Sequence, residues 1–337
     1  MSEFAGELVG LIQNLAKDAG ETTESAADEI SPQWSQVQEL GLVGIGIPED
    51  LGGSGGELGD LVVVVRELAA HAIRTPIVEA AVAAFAAGVP EPGSFGSVVV
   101  DRTVASPGGT VTADLYGVPF ATHAGELVIV GDLGLAVVSL SAAGVDVEPA
   151  IDIAGAPAGN VRLQRAAARP ARQGSEPAAV VDRLGLLRSA ALLGSASRAY
   201  ELTRQYVQER EQFGAPLLKI PAVATALAQM AVHIGGLRSA VDRAISLCAD
   251  GGVSPTRRFS AVASARIVGA QAATLVARSA HQLHGAVGVT QEYGLHRYSR
   301  SLWAWRDADE PERAWSNRLG AAARSLGEAE LWDTLTA

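Results

Sequence analysis

A chain of 337 residues is long enough to bury a full core and to hold two or three subdomains. Its residues are 48% hydrophobic but only 5% aromatic, with Ala, Leu and Val dominant, which favours packed helices over an aromatic-rich all-β fold. The formal net charge of −11 excludes an electrostatic footprint for nucleic acid, and no apolar run reads as long enough to span a bilayer.

Residues 1–90 read as helices: an amphipathic opening segment to about Lys17, a second starting after Ser31-Pro32, and a third across Leu58–Ala72. The start Met1-Ser2-Glu3-Phe4-Ala5-Gly6-Glu7 lacks the basic region of a signal peptide. Between the second and third helices, Gly41-Leu42-Val43-Gly44-Ile45-Gly46-Ile47-Pro48-Glu49-Asp50-Leu51-Gly52-Gly53-Ser54-Gly55-Gly56 permits tight turns. It has neither dinucleotide-binding spacing nor a Walker lysine, so an architectural loop is expected. From about Gly93 to Arg169 the texture becomes Val-rich alternation, with strand patterns at Ser97–Val100, Thr110–Ala113, Leu127–Val130, Ala136–Leu140, Val145–Glu148 and Asn160–Leu163.

From about Ser175 the pattern returns to helix. Leu186, Ala190, Leu193, Ser197, Tyr200 and Val207 recur at three- and four-residue steps along a first long helix. That helix is expected to end near Phe213, to turn at Gly214 and Pro216, and to restart near Pro221; further helices follow over 221–249, 256–284, 290–304 and 311–327. The single cysteine, Cys248, excludes an internal disulfide and fits a reducing cytoplasm; in an apolar helical run it reads as a buried structural thiol. His281 and His284, three apart, lack the third ligand of a metal site, so no metal is expected and packing or hydrogen bonding is their better reading.

Arg210-Glu211-Gln212-Phe213-Gly214-Ala215-Pro216-Leu217 resembles the R-x-Q-F-G-x-P-L signature of acyl-CoA dehydrogenases. The glycine-rich loop at 41–56 resembles the family's G-L-x-G-x-x-x-P-E-x-x-G-G-x-G loop, and Gln282-Leu283-His284-Gly285-Ala286-Val287-Gly288 its Q-x-x-G-G-x-G motif. The resemblance extends over most of the chain. It implies a mainly α fold with a small β domain: an N-terminal helical domain over 1–92, a shortened middle β-barrel domain over 93–170, and a C-terminal four-helix bundle over 171–337. It also implies FAD, an acyl-CoA substrate, an electron-transfer flavoprotein as acceptor, and no nucleic acid or membrane partner.

Site residues follow from the same resemblance. Arg210, Gln212 and Phe213, with Gln282 and Gly285, fall where the family contacts FAD across a subunit interface, and arginine suits this role because its planar fork grips phosphate oxygens. Ala286 stands at the motif's second glycine. Asp182 matches the Asp of a D-x-x-R element facing CoA, with capping as its bland alternative; Gly185 holds the arginine position and Arg183 or Arg188 could substitute. The family's catalytic glutamate falls on Asp309, with Glu310 beside it, in a segment that departs from E-G-T-x-x-x-Q. Asp309 reaches about 1.5 Å less than glutamate, and the neighbouring acids suggest a solvated helix start. The alternative base position is Leu184. The first half of the β domain lacks the family's flavin-ring segment, and no tryptophan lies between Trp34 and Trp303. These departures, beside intact interface motifs, resemble the short subunits of heteromeric, α2β2, steroid or bulky acyl-CoA dehydrogenases that introduce an α,β double bond. A catalytically silent scaffold for a longer homologue and a self-sufficient homotetramer stay open.

Overall fold

The computed structural model describes residues 4–18, 28–104 and 109–327 together with Trp332 and Thr334; Met1-Ser2-Glu3 of the opening segment lie outside the described residues. Two compact units divide the chain, Met1–Val65 with Ile73–Leu187, and Arg66–Ala72 with Arg188–Ala337.

In the first unit, α1 (Ala5–Asp18) buries Ile12 and Leu15 on one face. α2 (Trp34–Glu39) starts later than expected: Gln33, not Ser31, is its N-cap and makes no side-chain cap bond. The Ser31 hydroxyl instead donates to Gln33 Oε1 at 2.5 Å, so its oxygen holds the turn before the helix. The glycine-rich loop forms two short 3₁₀ turns, Leu42–Gly44 and Glu49–Leu51, closed by an Ile47–Gly55 bridge. Gly53 is required there, because a Cβ would sit 2.1 Å from the Ile47 carbonyl oxygen. α3 (Leu58–Ala70) follows, then α4 (Ile77–Ala87), a helix that the sequence pattern does not announce. α4 is buried on nearly every side, including Glu79, and a helix apolar all round has no stripe to betray its period.

α4 packs on a curled six-stranded sheet of β1 (Gly96–Val100), β2 (Gly109–Pro119), β3 (Glu126–Val130), β4 (Leu135–Ser139), β5 (Val145–Ile151) and β6 (Pro157–Pro170). The path is β1-β3-β4-β6-β2, with β5 added on β6; β1 and β3 run parallel and the other pairs antiparallel. β2 and β6 outrun their sequence signals, and their pairing is offset twice, between Val111 and Ala113 and between Leu115 and Val118. Such irregularities bend a ribbon and increase its twist, here around a core that includes Val111, Leu115, Leu127, Ile129, Val138, Val161 and Leu163.

The second unit is helical. It takes the later part of α5 (Pro177–Glu209), then α6 (Pro221–Ala249), α7 (Pro255–His284), α8 (Leu295–Asp307) and α9 (Glu312–Ser325), with α7 packed against α6, α8 and α9. α6 and α7 begin at prolines, and Ser254 caps α7 by accepting from the Arg257 amide at 3.3 Å. α5 passes close to the end of α3, since a Cβ on Gly194 would lie 2.1 Å from the Arg66 carbonyl oxygen. α8 starts five residues later than expected because Gly285–Val289 prolongs the end of α7 as a 3₁₀ turn. Contrary to the sequence expectation, the stretch Pro255–Val289 is long and apolar enough to cross a bilayer. Because 61% of its most apolar part is buried inside the protein, this is the profile of a bundle's central helix. Cys248 is half-buried in α6.

Candidate functional site

α5 stops at Glu209 rather than near Phe213, and the chain makes a small hairpin of β7 (Glu211–Gln212) and β8 (Ala215–Pro216). Its turn residues Phe213 and Gly214 have φ of +55° and +81°. Positive φ at both central positions matches the twist of a tight hairpin, but it is unfavourable for an aromatic residue. The Phe213 side chain is 93% exposed, so burial in this chain does not offset that strain. Arg210 and Gln212 flank it and are exposed as well.

The second motif sits at the same end of this unit. One helical turn before Arg210, whose amide donates to the Tyr206 carbonyl at 2.8 Å, the Tyr206 ring stacks on His284 with centroids 4.5 Å apart. Tyr293 closes the cluster, 4.9 Å from His284 and 6.0 Å from Tyr206. His284 immediately precedes Gly285, so the aromatic cluster ties the Arg210–Phe213 hairpin to the Gln282–Gly285 turn. Gly285 has φ +59° with open space where a Cβ would stand, and Gln282 is exposed beside it. An approaching ligand therefore meets backbone and amide groups there without steric hindrance.

Both histidines are used inside the protein. The His284 Nδ1–H donates to the Ala280 carbonyl at 2.8 Å, while His281 Nε2 bonds the Ser299 hydroxyl at 2.8 Å. Burial pushes both pKa values below the ordinary 6.5, as it does for His71. Unfolding then takes up protons between the lowered folded values and 6.5, so stability falls as pH drops through that window and returns as pH rises. We expect thermal melting to shift downward when pH is lowered below about 6.5, with a shallower dependence in His284→Gln. An unchanged slope in that variant would remove His284 from the account.

The acidic segment is not the solvated helix start that its composition suggests. Asp309 pairs with Arg188 of α5, Nε to Oδ2 at 3.0 Å and Nη2 to Oδ1 at 3.3 Å, with side chains only 3% and 6% exposed. Arg266 of α7, fully buried, donates to the carbonyls of Trp305, Arg306 and Ala308, and desolvation lowers its pKa to about 10. Glu310 is buried too: Arg318 Nη1 donates to its Oε2 at 2.5 Å, and the Trp315 indole donates to its carbonyl at 3.1 Å. Asp309 itself has φ +64°, a left-handed conformation that aspartate tolerates better than most residues. Arginines from α5, α7 and α9 thus hold this loop, and sequence spacing gave no sign of them.

Asp182 and Arg183 belong to the other unit. Asp182 is buried in the second turn of α5, which begins at Pro177, and so does not cap that helix. Arg183 is buried as well and donates from Nη2 to the Ile45 carbonyl at 2.8 Å. Of the arginines near the missing D-x-x-R position, Arg188 is engaged with Asp309 and Arg183 lies against the glycine-rich loop.

Comparison with known proteins bears on these motifs directly. The family models for the acyl-CoA dehydrogenase N-terminal domain and C-terminal domain match residues 10–93 and 181–306, together more than half of the chain. The chain belongs to the acyl-CoA dehydrogenase family. Among its relatives, the acyl-CoA dehydrogenase IpdE2 of Mycobacterium tuberculosis is 26% identical over 88% of this chain and 85% of its own. A structure of a Tcur3481-Tcur3483 steroid ACAD variant is 27% identical with a TM-score of 0.84, covering 96% of this chain and 98% of that one. The ChsE4-ChsE5 complex from Mycobacterium tuberculosis has the same fold at 22% identity, with a TM-score of 0.86 over 97% and 99% of the respective chains. The family member described here is thus an oxidoreductase of acyl-CoA thioesters with FAD as cofactor. Its residues fit part of that group: exposed donors at Arg210, Gln212 and Gln282 and the open backbone at Gly285 suit phosphate and ribose oxygens. Its β domain offers no tryptophan to the flavin ring.

Proposed function

We propose that this chain is the short subunit of a heteromeric acyl-CoA dehydrogenase that introduces an α,β double bond into a bulky acyl-CoA, such as a steroid side-chain thioester. The observation that carries the reading is Phe213, a strained aromatic held 93% exposed between Arg210 and Gln212, as a residue waiting for a second subunit would be. FAD, when bound, supplies the hydride acceptor of the dehydrogenation. The Arg210 guanidinium grips phosphate oxygens, Gln212 and Gln282 donate to neighbouring oxygens, and the bare backbone at Gly285 admits close approach. Phe213 packs against the partner and keeps water from those bonds. In the first unit, Asp182 and Arg183 serve the CoA portion of the substrate. The Tcur3481-Tcur3483 steroid ACAD and the ChsE4-ChsE5 complex, each a pairing of two proteins, support a heteromeric partner. An electron-transfer flavoprotein as acceptor and a cytoplasmic setting complete the proposal.

Removal of the α-proton needs a carboxylate whose pKa is raised by desolvation and which is left able to accept. Asp309 and Glu310 are each engaged by an arginine. That supports a division of labour in which they hold the α8–α9 loop and the partner supplies the base. The same pairing favours a second reading, a silent scaffold that contributes interface alone. Flavin absorbance per polypeptide, measured on the isolated chain and on the chain co-purified with a longer homologue, separates these. We expect flavin only in the complex, near one per two chains. Full flavin in the isolated protein would replace the heteromer with a self-sufficient homo-oligomer. Flavin bound as tightly by the partner alone would leave only the scaffold.

A further inference from the structure

His284 is a buried titratable side chain, 3% exposed, that the dehydrogenation proposed above does not use. Three contacts pin its ring. Nδ1–H donates to the Ala280 carbonyl of its own helix, the Tyr206 ring of α5 stacks on it at 4.5 Å with 24° between the planes, and Tyr293 stands 4.9 Å away, tilted by 53°. Tyr293 is tied to α5 in turn, its hydroxyl donating to the Leu202 carbonyl at 3.5 Å. Gly288, the last glycine of the turn, closes over the same residue, since a Cβ there would stand 2.7 Å from the His284 Cβ. With the proton on Nδ1, Nε2 is a bare acceptor, buried without a partner among the described residues.

An apolar ring of the same shape would fill this space without leaving an acceptor unpaired. What the imidazole adds is rigidity: the Nδ1–H bond stops the ring from turning, so the stack holds the end of α7 against the last turns of α5. Gly285 follows His284 directly, and the Arg210 amide bonds the carbonyl of Tyr206. We propose that His284, stacked on Tyr206 and Tyr293, is a positioning residue for FAD: while neutral, it fixes the Arg210 guanidinium and the open backbone at Gly285 relative to each other, so that both meet one cofactor. The inference deepens the proposed function and rests on its assignment of FAD to these two motifs. Neutrality matters because protonation would place a charge and a second N–H where the described residues offer no acceptor, a cost the tyrosine faces only partly offset. Burial holds the His284 pKa below 6.5; the Ala280 carbonyl opposes this and His281, on the same helix, adds to it. Glu209 and Arg198 of α5 act on Tyr293 with opposite signs. Protons therefore compete with FAD, and affinity falls as pH drops below about 6.5.

The test is fluorescence titration with FAD of the apo-complex of this chain and a longer homologue, at about pH 7.5 and about pH 5.5, either side of the ordinary histidine value. Melting temperatures show which variants fold. Tyr206→Ala, at a half-buried position, is expected to weaken FAD binding at the higher pH by about threefold to tenfold, and Tyr206→Phe, which keeps the stacked ring, to bind as wild type does. His284→Phe keeps a flat ring without a titrating group and is expected to lose most of the acid dependence. Tyr206→Ala combined with Arg210→Ala is expected to lose little more than Arg210→Ala alone, because relative position matters only while both contacts exist; a merely structural role would add the two losses. Should His284→Phe not fold, the Tyr206 variants and the double variant decide alone. Fully additive losses, wild-type FAD binding by Tyr206→Ala, or an acid dependence that persists in His284→Phe overturns the positioning role, and the proposed function stands as long as Arg210→Ala still weakens FAD. An Arg210→Ala complex that binds FAD as tightly as wild type removes the assignment of FAD and this inference together.

Discussion

Arg188→Ala is expected to destabilise the chain by about 3–5 kcal/mol, because removing one partner of a buried ion pair leaves the other charge uncompensated. Asp309, its side chain 6% exposed and its backbone already left-handed, would lose its ion partner and keep only the charge of buried Arg266. Chemical denaturation of wild type and variant checks the number. The paired change Arg188→Met with Asp309→Asn should recover part of the loss, since it removes both charges and asparagine tolerates the same backbone, but it also takes from buried Arg266 a carboxylate that supports its charge. This experiment also bears on chemistry. If Asp309 holds the loop, Asp309→Asn lowers the melting temperature, while turnover of the assembled complex, assayed below melting, is unchanged. If turnover disappears in a complex that remains folded and flavin-loaded, Asp309 is the base after all and the division of labour proposed above is wrong.

Arg210→Ala is expected to weaken FAD binding by roughly 1.5–3 kcal/mol, which corresponds to about tenfold to a hundredfold in affinity, without changing the melting temperature of the isolated chain. The absence of a folding effect is expected because Arg210 is exposed and its backbone amide, which bonds Tyr206, survives the substitution. Arg210→Lys should recover part of the loss, since it restores the charge without the fork that grips two oxygens at once. Fluorescence titration of the apo-complex with FAD measures both variants. Equal affinities for wild type and Arg210→Ala would place the phosphates elsewhere.

Much of this molecule is legible from sequence where chemistry is local. Pro221 and the Ser254-Pro255 pair mark helix starts within a residue or so, because a fixed φ and a side-chain cap act on their immediate neighbours. The strand cores of the β domain show in Val-rich alternation, yet the far half of β6 does not, since Gln164, Arg165 and Ala167 are exposed in sequence order that breaks a period of two. α4 escaped for the opposite reason, being buried all round. At the site, the hairpin and glycine-turn motifs are visible as words in the sequence, but the aromatic cluster joining them is assembled by packing. The acids illustrate the limit. Asp309 and Glu310 look solvated among their sequence neighbours, and the arginine that engages Asp309 stands 121 residues away. Arg183 poses the same difficulty, for no sequence pattern announces that a cation lies buried against the Ile45 carbonyl.

The β7–β8 hairpin fixes where Phe213 points before any second chain arrives. Two ladder pairs and a tight turn leave the ring little beyond its own side-chain rotations. The docking proposed for this hairpin would therefore freeze few degrees of freedom, and a contact of modest area could hold more tightly than its size suggests. The same preorganisation makes the joint brittle: inserting a residue into the turn would release the ring to many orientations although Arg210, Gln212 and Phe213 are all still present.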